Sequence, residues 1–321
     1  MEHLVECVPN FSSVDRELLD SIERAIASTR GAWLLDRSSD SDHARSVFTF
    51  AGTIDATRSA MEAAVAVAIE RIDLRHHAGQ HPRLGAVDVV PFVPLGTTSM
   101  AQCVDLAQSF ATTVAARYSL PIYLYGEAAT RPERRILANV RKPRFEGLAD
   151  AMRRPDGEPD FGPSAPHPSA GAMAVGARPF LIAFNIQLST PDVAIAKRIA
   201  TRVRERDGGL VGVQALGLEL PSRGTTQVSM NVLDHSTAPL WRVWDAVAQQ
   251  ADLEGVSVDD SELIGLVPSV ALTDVADHIG AAPDRPLEER LLAGANWLRI
   301  RDFDPDMALE LRLARARSAE H

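Results

Sequence analysis

Three of the nine histidines fall within six positions, at His76, His77 and His81. An imidazole titrates near neutral pH, so this segment could bind a metal ion or transfer a proton. His77 and His81 are four residues apart, the spacing that places two zinc ligands on one face of a helix. Gly79 lies between them and Pro82 follows, and both disfavour a helix at this point. We therefore expect no metal site here.

His81 is the best candidate for a proton carrier. Pro82 stiffens the chain beside it, and the following residues lead through a turn into an apolar strand that begins near Ala86. A positioned imidazole accelerates proton transfer by about 10²–10⁴-fold. His76 and His77 are expected to be solvated neighbours.

Three charged residues accompany this histidine segment. Arg83 lies two positions after His81, Asp88 interrupts the apolar strand, and Glu127 follows the strand-like run PIYLYG. A carboxylate inside a strand needs a partner or a cavity, because an unpaired buried charge costs several kcal/mol. These residues are therefore either supporting charges of an active site or structural pairs, and an Arg83–Asp88 pair is the simplest structural alternative.

Residues 153–171, RRPDGEPDFGPSAPHPSAG, differ in texture from the rest of the chain. Five prolines in this stretch prevent a regular helix or strand over its length. Long ordered loops in compact domains are usually functional, whereas linkers tend to be more uniformly polar. The stretch predicts a loop that covers a ligand, with a plain linker between two lobes as the alternative.

The overall composition restricts the class of protein. The chain has 321 residues, 45% of them hydrophobic, and a formal net charge of −10. Nucleic-acid binding relies on clustered Lys and Arg, so this acidic balance argues against it. Cys7 and Cys103 are far apart and predict two packed, reduced thiols. No secretory leader or membrane span is apparent in the sequence, so we expect a cytoplasmic enzyme or binding protein without a membrane partner.

The hydrophobic pattern alternates between strand and helix periods. Strand, helix, strand, strand, helix and strand follow in order from Leu4 to Pro94, and a further helix and strand extend to Gly126. The same order recurs from Pro179 to Pro268, although no sequence repeat is visible. Two βαββαβ units predict an α/β (α+β) fold in which each lobe has a mixed sheet with helices on one face.

Several motifs resemble the formiminotransferase domain family, the glutamate formimidoyltransferases of histidine breakdown. They are ECVPNFS (residues 6–12), RSVFTF (45–50), HPRLGAVDVVPFVP (81–94), YLYGEAA (123–129), PDFGPSA (159–165), GARPFLIAFNIQL (176–188), QVSMNVLD (227–234) and ELIGLVP (262–268). They occur in the family's order over essentially the whole chain. The resemblance covers the transferase domain alone and not the cyclodeaminase domain that some relatives carry.

The resemblance implies the activity, the fold and the ligands. It implies two lobes with a ligand tunnel between them, in a homodimer. The first lobe, residues 1–178, carries a folate loop and the histidine loop, which is the segment that contains His76, His77 and His81. The second lobe is residues 179–321. It implies transfer of a formimino group from N-formimino-L-glutamate to N5 of tetrahydrofolate, without a metal. His81 then corresponds to the family's active-site histidine. The family's folate-binding segment corresponds to Gly162, Pro163, Ser164, Ala165, Pro166, His167, Pro168, Ser169, Ala170 and Gly171.

The expected chemistry suggests roles for the charged residues. The donor is a cationic amidine, so Asp88 or Glu127 could supply a nearby anion. The carboxylates of donor and folate call for guanidinium groups, and Arg45, Arg83 and Arg178 are candidates by position.

The sequence departs from the family pattern at two rims of the proposed site. Relatives follow Asn-Phe-Ser with Glu-Gly, but here Ser13 and Val14 follow, and Ala44 stands where Asn is common. Donor identity is therefore open. One alternative is a related folate-dependent enzyme that uses another formimino amino acid or 5-formyltetrahydrofolate, and a second is a folate-binding protein without turnover.

Overall fold

A computed structural model describes residues 3–40, 44–76, 83–221 and 223–319. The chain divides into two compact units, Met1–Pro179 and Phe180–His321, each with its own apolar core. The α/β class with two sheets is confirmed. The functional roles expected for the two lobes stay predictions.

The first unit contains seven strands and five helices among its described residues. In chain order they are β1 (His3–Cys7), β2 (Asn10–Phe11), α1 (Arg16–Ala27), β3 (Ala32–Asp40), β4 (Arg45–Thr53), α2 (Ile54–Arg71), β5 (Val87–Gly96), α3 (Met100–Tyr118), β6 (Ile122–Gly126), α4 (Leu137–Arg141), α5 (Arg144–Met152) and β7 (Met173–Ala177). Short 3₁₀ turns lie at Leu74–His76, Pro132–Arg135 and Pro155–Gly157.

The strand order in the first sheet is β3-β4-β1-β5-β7-β6, and β2 continues the line of β1 between β4 and β5. The pairs among β1 to β5 are antiparallel, whereas β7 pairs parallel with both β5 and β6. The sheet is therefore mixed, as predicted. The strand β7, MAVGA, was not predicted, because its small side chains show no polar and apolar alternation.

Helices cover the parallel end of this sheet on both faces, which differs from the predicted single covered face. Ile122 and Leu124 belong to the core beneath α1, α2 and α3, whereas Tyr123 and Tyr125 belong to a separate cluster with α4 and α5. Alternate residues of a strand point to opposite faces. Parallel strands are usually buried on both sides, which explains the second layer.

The amphipathic helix α1 forms where the sequence pattern placed it. Leu18, Leu19, Ile22 and Ile26 form its buried stripe, and the Asp15 carboxylate caps its start by accepting from the Leu18 N–H at 2.7 Å. A capping carboxylate satisfies one of the N–H groups that lack a partner within the helix. The helix therefore begins at a defined point, directly after the motif ECVPNFS.

The second unit contains four strands and five helices among its described residues. They are β8 (Ile182–Leu188), α6 (Val193–Val203), β9 (Val213–Leu220), β10 (Thr225–Val232), α7 (Leu240–Leu253), β11 (Val258–Ile264), α8 (Ser269–His278), α9 (Leu287–Trp297) and α10 (Leu309–Ser318). Two 3₁₀ turns lie at Glu205–Asp207 and Pro305–Met307. The last three helices were not predicted from the sequence.

The strand order in the second sheet is β9-β10-β8-β11, and its pairs are all antiparallel rather than mixed. This order matches β3-β4-β1-β5 of the first unit, strand for strand. The two units therefore repeat one βαββαβ topology, and the first adds β6 and β7 to it. Among the described residues, no helix is long and apolar enough to cross a membrane.

Candidate functional site

The predicted catalytic histidine, His81, lies outside the described residues, and so does His77. The described chain stops at His76 and resumes at Arg83, so the histidine loop is described through its two flanks, which end at His76 and begin at Arg83. The His76 side chain is 83% exposed, which agrees with its predicted solvated role.

Both flanks of the histidine loop are hydrogen-bonded to the end of the predicted folate loop. On the first flank, the Leu74 N–H donates to the Ser169 carbonyl at 2.9 Å. On the second, the Ala86 N–H donates to the Ala170 carbonyl at 3.0 Å, and the Ala172 N–H donates back to Leu84 at 3.2 Å. The two segments singled out in the sequence are therefore neighbours, although about 90 residues separate them.

Two glycines make this approach possible. Gly85 and Gly171 form a bridge between the segments. A Cβ added at Gly85 would lie 1.8 Å from the Ala172 carbonyl oxygen, and one at Gly171 would lie 2.4 Å from the Leu84 carbonyl oxygen. Gly171 also has a φ of +69°, a conformation that favours glycine. Side chains at either position would push the two backbones apart.

The motif ECVPNFS also contacts the residues that lead into β5. Ser12, the last residue of ECVPNFS, donates from its hydroxyl to the Gly85 carbonyl at 2.7 Å and from its N–H to the Ala86 carbonyl at 2.9 Å. Ser12 was part of the motif but was not singled out in the sequence, because an isolated serine carries no specific signal.

Asp88 is buried, with 1% of its surface exposed, and its partner is Arg141 of α4. The Arg141 guanidinium donates to Oδ2, and the Leu84 N–H donates to Oδ1 at 2.6 Å. Burial raises the pKa of Asp88, and Arg141 opposes this shift. The carboxylate therefore fixes the backbone at the end of the histidine loop.

The alternative of an Arg83–Asp88 structural pair is wrong. Arg83 is buried and donates to the Glu146 carboxylate at 2.9 Å, while its carbonyl accepts from the Phe145 N–H. Both partners lie on α5, which follows directly after α4. Arg141 and Glu146 were missed in the sequence, because their pairing depends on tertiary contacts across more than 50 residues.

Arg45 joins the Asp88–Arg141 pair at the start of β4. It is half-buried, and burial together with the charge of Arg141 lowers its pKa. The charges of Asp88 and Asp40 oppose this shift without reversing it. Two guanidinium groups thus lie near the buried carboxylate of Asp88, and Asp40 also acts on Arg45. A pair of neighbouring guanidinium groups suits the binding of a carboxylate group.

Glu127 and Arg178 lie at the opposite end of the strands. The Glu127 N–H donates to the Ala177 carbonyl at 2.8 Å, and Ala177 pairs with Phe92, four residues beyond Asp88. At about 3.3 Å per residue, roughly 13 Å of strand separates the two ends. Glu127 therefore lies at the other end of β5 from Asp88 and from the described flank of the histidine loop that begins at Arg83.

Each residue at that end has its own local contacts. The carboxylate of Glu127 accepts from Arg135 at 2.6 Å in an exposed ion pair. Arg178 donates to the Pro179 carbonyl at 2.9 Å. It also lies close enough to Tyr125 to oppose the burial that raises the pKa of this phenol to about 12.

The predicted folate loop, residues 162–171, is exposed over its first four residues and buried at its end. Residues 162–165 are exposed, whereas Ala170 and Gly171 are buried. The His167 imidazole accepts from the Ala170 N–H at 3.0 Å through Nδ1, and burial lowers its pKa. Loss of the proton on Nδ1 is what allows this ring to accept the bond.

Other features of the described residues bear on the predicted chemistry. Cys7 and Cys103 are buried free thiols, as predicted, and burial raises the pKa of both. Within the described ranges, no group of three or more His, Cys, Asp or Glu side chains could hold a metal ion.

Comparison with known proteins agrees with the motifs. The family model of the formiminotransferase domain, N-terminal subdomain, matches residues 4–178, and the family model of the formiminotransferase domain matches residues 183–286. The chain is 40% identical to a glutamate formimidoyltransferase of Streptococcus pyogenes serotype M1, over 91% of this chain and 98% of that protein. It is also 40% identical to a glutamate formimidoyltransferase of Thermoplasma acidophilum, over 99% of both chains.

A longer relative matches over part of its length. The chain is 42% identical to a formimidoyltransferase-cyclodeaminase of Gallus gallus over 86% of this chain, and it covers 52% of that protein. Matches of this extent decide the family. The chain belongs to the formiminotransferase domain family.

Proposed function

We propose that this protein is a glutamate formimidoyltransferase that transfers the formimino group of N-formimino-L-glutamate to N5 of tetrahydrofolate. The reaction belongs to histidine degradation. The observation that supports it most strongly is the hydrogen bonding of residues 169–172 to both flanks of the histidine loop. This contact would bring a folate held by the loop close to the two described flanks of the segment that contains the proposed catalytic histidine.

The reaction exchanges one carbon–nitrogen bond for another. N5 of tetrahydrofolate attacks the formimino carbon, which is electrophilic because the donor amidine is protonated. The bond from this carbon to the glutamate nitrogen then breaks. N5 loses one proton and the departing nitrogen gains one, so atoms and charge balance without an oxidant or a reductant.

His81 carries this proton in the proposed mechanism. It accepts the proton from N5 and returns one to the glutamate nitrogen, which requires a group that titrates near neutral pH. The buried Asp88 acts through the backbone, because its bond to the Leu84 N–H fixes the chain that leaves the histidine loop. Asp88 is thus a positioning residue and His81 the catalytic one.

The guanidinium groups near Asp88 are the proposed binding site for a carboxylate of the donor. Arg45 and Arg141 both lie close enough to Asp88 to act on its charge, and Arg141 also donates to it. A carboxylate that approaches this cluster replaces the lost hydration with charge-assisted hydrogen bonds. Arg83 is engaged by Glu146, and Arg178 lies at the far end of the strands, so both are weaker candidates for this role.

Another one-carbon donor is the second candidate function. It is favoured by the departures after Ser12 and at Ala44, both of which flank the described part of the site. A formimino group on another amino acid, or the formyl group of 5-formyltetrahydrofolate, would use the same folate loop and the same histidine.

The test is direct. The protein is incubated with tetrahydrofolate and N-formimino-L-glutamate, and glutamate release is followed together with formation of 5-formiminotetrahydrofolate. Parallel reactions contain N-formiminoglycine or N-formimino-L-aspartate, for which release of glycine or aspartate is followed. A further reaction contains 5-formyltetrahydrofolate with L-glutamate as the acceptor, because formyl transfer to tetrahydrofolate would only regenerate the starting compounds. Turnover with the glutamate derivative supports the proposal. Turnover with another donor alone supports the second candidate, and folate binding without any turnover would contradict both.

The remaining expectations for this protein accompany the proposal. We propose a homodimer in the cytoplasm that binds neither nucleic acid nor membrane, which agrees with the family resemblance and the acidic net charge. Sedimentation velocity tests the dimer, and a monomer at micromolar concentration would contradict it.

A further inference from the structure

A buried ion pair lies directly before the predicted folate loop. The Arg134 guanidinium donates to the Asp160 carboxylate at 2.7 Å, and the two side chains are 5% and 7% exposed. From its second terminal nitrogen, Arg134 also donates to the backbone carbonyls of Asp156 and Glu158, at 3.1 and 2.5 Å. One guanidinium thus binds three residues of the segment that leads into the loop.

The same segment is held from the strand side by Tyr123. The Arg134 guanidinium lies 5.0 Å from the centre of the Tyr123 ring, and the Tyr123 hydroxyl donates to the Gly157 carbonyl at 2.8 Å. A Cβ added at Gly157 would lie 1.9 Å from the Ala151 carbonyl oxygen, so this turn also packs against α5. These contacts therefore fix the backbone conformation of residues 156–160, which lead into the folate loop.

Asp160 connects this segment to two further elements. Its Oδ2 accepts from the Leu124 N–H of β6 at 2.8 Å, and its Oδ1 accepts from the Thr130 hydroxyl. Its own N–H donates to the Ile122 carbonyl at 2.9 Å. A carboxylate that accepts hydrogen bonds from three groups cannot be replaced by packing alone, because each donor would lose its partner.

The exposed part of the folate loop depends on these contacts. Residues 162–165 are exposed, so burial contributes little to their conformation. Residues 169–171 fix one end, and Asp160 with Phe161 fixes the other, where the Ile122 N–H donates to the Phe161 carbonyl at 2.9 Å. A loop held at both ends loses less conformational entropy when it binds a ligand.

We propose that Asp160, held by Arg134, is the positioning residue of the folate loop and sets the affinity for tetrahydrofolate. The inference rests on the proposed function and adds a residue to it. Asp160 touches neither the reacting atoms nor the donor. Its loss therefore weakens folate binding and leaves the chemical step and donor binding largely unchanged.

The variant Asp160→Asn keeps the size of the side chain and removes its charge. We expect the KM for tetrahydrofolate to rise by about tenfold or more, since hydrogen bonds to a charged group are stronger than neutral ones. The kcat and the KM for N-formimino-L-glutamate should stay close to the wild-type values. The matched control is Asp150→Asn, which breaks the exposed Asp150–Arg153 pair and should change none of these constants.

A milder pair of variants covers the case in which Asp160→Asn does not fold. Thr130 is exposed, so Thr130→Val removes one hydrogen bond to Asp160 without a change in the core, and Thr130→Ser keeps the bond. We expect the KM for tetrahydrofolate to rise in the Val variant and to be restored in the Ser variant.

The outcomes separate this inference from the proposed function. If the wild type neither transfers a formimino group nor binds tetrahydrofolate, the proposed function fails. If the wild type is active and folded Asp160→Asn has an unchanged KM for tetrahydrofolate, or Thr130→Val matches Thr130→Ser, the positioning role of Asp160 is overturned. A parallel loss of kcat and of affinity for both substrates would indicate general destabilisation and would also overturn it.

Discussion

Gly85 is the residue at which the contact between the two loops can be tested most sharply. An added Cβ would lie 1.8 Å from the Ala172 carbonyl oxygen and 3.0 Å from the Ala170 carbonyl oxygen. Because a carbon and an oxygen that are not bonded stay about 3.3 Å apart or more, Gly85→Ala must displace this backbone by about 1.5 Å. The atoms that must move are main-chain atoms, so no side-chain rotation can relieve the overlap.

The displacement has two calculable effects. It breaks the bond from Ala86 to Ala170 and the bond from Ala172 to Leu84. Each is worth about 0.5–1.5 kcal/mol, and a buried group left without a partner costs about 1–3 kcal/mol. We expect the free energy of unfolding to fall by about 2–4 kcal/mol. The folate loop also shifts relative to the histidine loop, and a misplacement of about 1 Å can cost 10²-fold in rate.

The assay combines urea denaturation with turnover of N-formimino-L-glutamate and tetrahydrofolate. Far-UV circular dichroism is the suitable probe, because three of the four tryptophans, at positions 241, 244 and 297, belong to the second unit. The matched control is Gly147→Ala in α5, where an added Cβ meets nothing within 4 Å. Alanine is favoured over glycine inside a helix by about 0.5–1 kcal/mol, so the control should be as stable as wild type or more so. Wild-type turnover and an unchanged unfolding midpoint in Gly85→Ala would refute the proposed contact.

Three further predictions address other parts of the site. Replacement of His81 by Ala should lower kcat by about 10² or more while calorimetry finds tetrahydrofolate affinity nearly intact, and near-normal turnover would remove His81 from the mechanism. Tetrahydrofolate affinity should fall as the pH drops through the pKa of His167, which burial holds below the ordinary imidazole value, because protonation of Nδ1 breaks its bond from Ala170. The hydrogen bond from Ala170 to His167 is fully formed above the ordinary imidazole pKa and is lost as the pH falls through the lowered pKa of His167. The side-chain oxygen of His167→Asn does not titrate, so binding isotherms of this variant should show no such trend. An equal trend in both proteins would contradict the idea. Ala44 has a φ of +49°, which costs a non-glycine residue about 1–2 kcal/mol, so Ala44→Gly or Ala44→Asn should raise the urea midpoint, and a lower midpoint in both would show that this strain is absent.

Much of the fold could be predicted from the sequence because the apolar period changes along the chain. The helix Leu240–Leu253 was predicted at its observed bounds, and most other predicted elements differ by a few residues at their ends. The strand β7 could not be predicted, because it is defined by pairing between β5 and β6 and not by its own side chains. Likewise, α4 and α5 are short and adjoin at Pro143, a residue that usually signals a loop.

The site could be predicted only in its separate parts. The sequence indicated that Asp88 needs a partner, and this partner exists, but Arg83 was the wrong choice. Arg141 is 53 positions away on a helix that was not predicted, so no local pattern could identify it. Prolines and glycines indicated a ligand-covering loop over residues 153–171, and the histidines marked the other loop, whereas the folate role came from the family resemblance. Their mutual contact follows from the pairing of β5 with β7, which places Gly85 beside Gly171.

The division of the charged residues between two ends of the sheet limits which of them can act on the amidine. In the proposed mechanism the proton transfer occurs where the histidine loop meets the folate loop, and Asp88 binds the described flank of the histidine loop through the Leu84 N–H. Glu127 lies roughly 13 Å along the strands and is already paired in an exposed ion pair, so water and salt reduce its influence there. Asp88 is the carboxylate at this end, but it is buried and already paired with Arg141, and the charge of Arg45 also acts on it. Because guanidinium groups engage this carboxylate, we expect these charges to orient a carboxylate of the donor rather than to stabilise its cation.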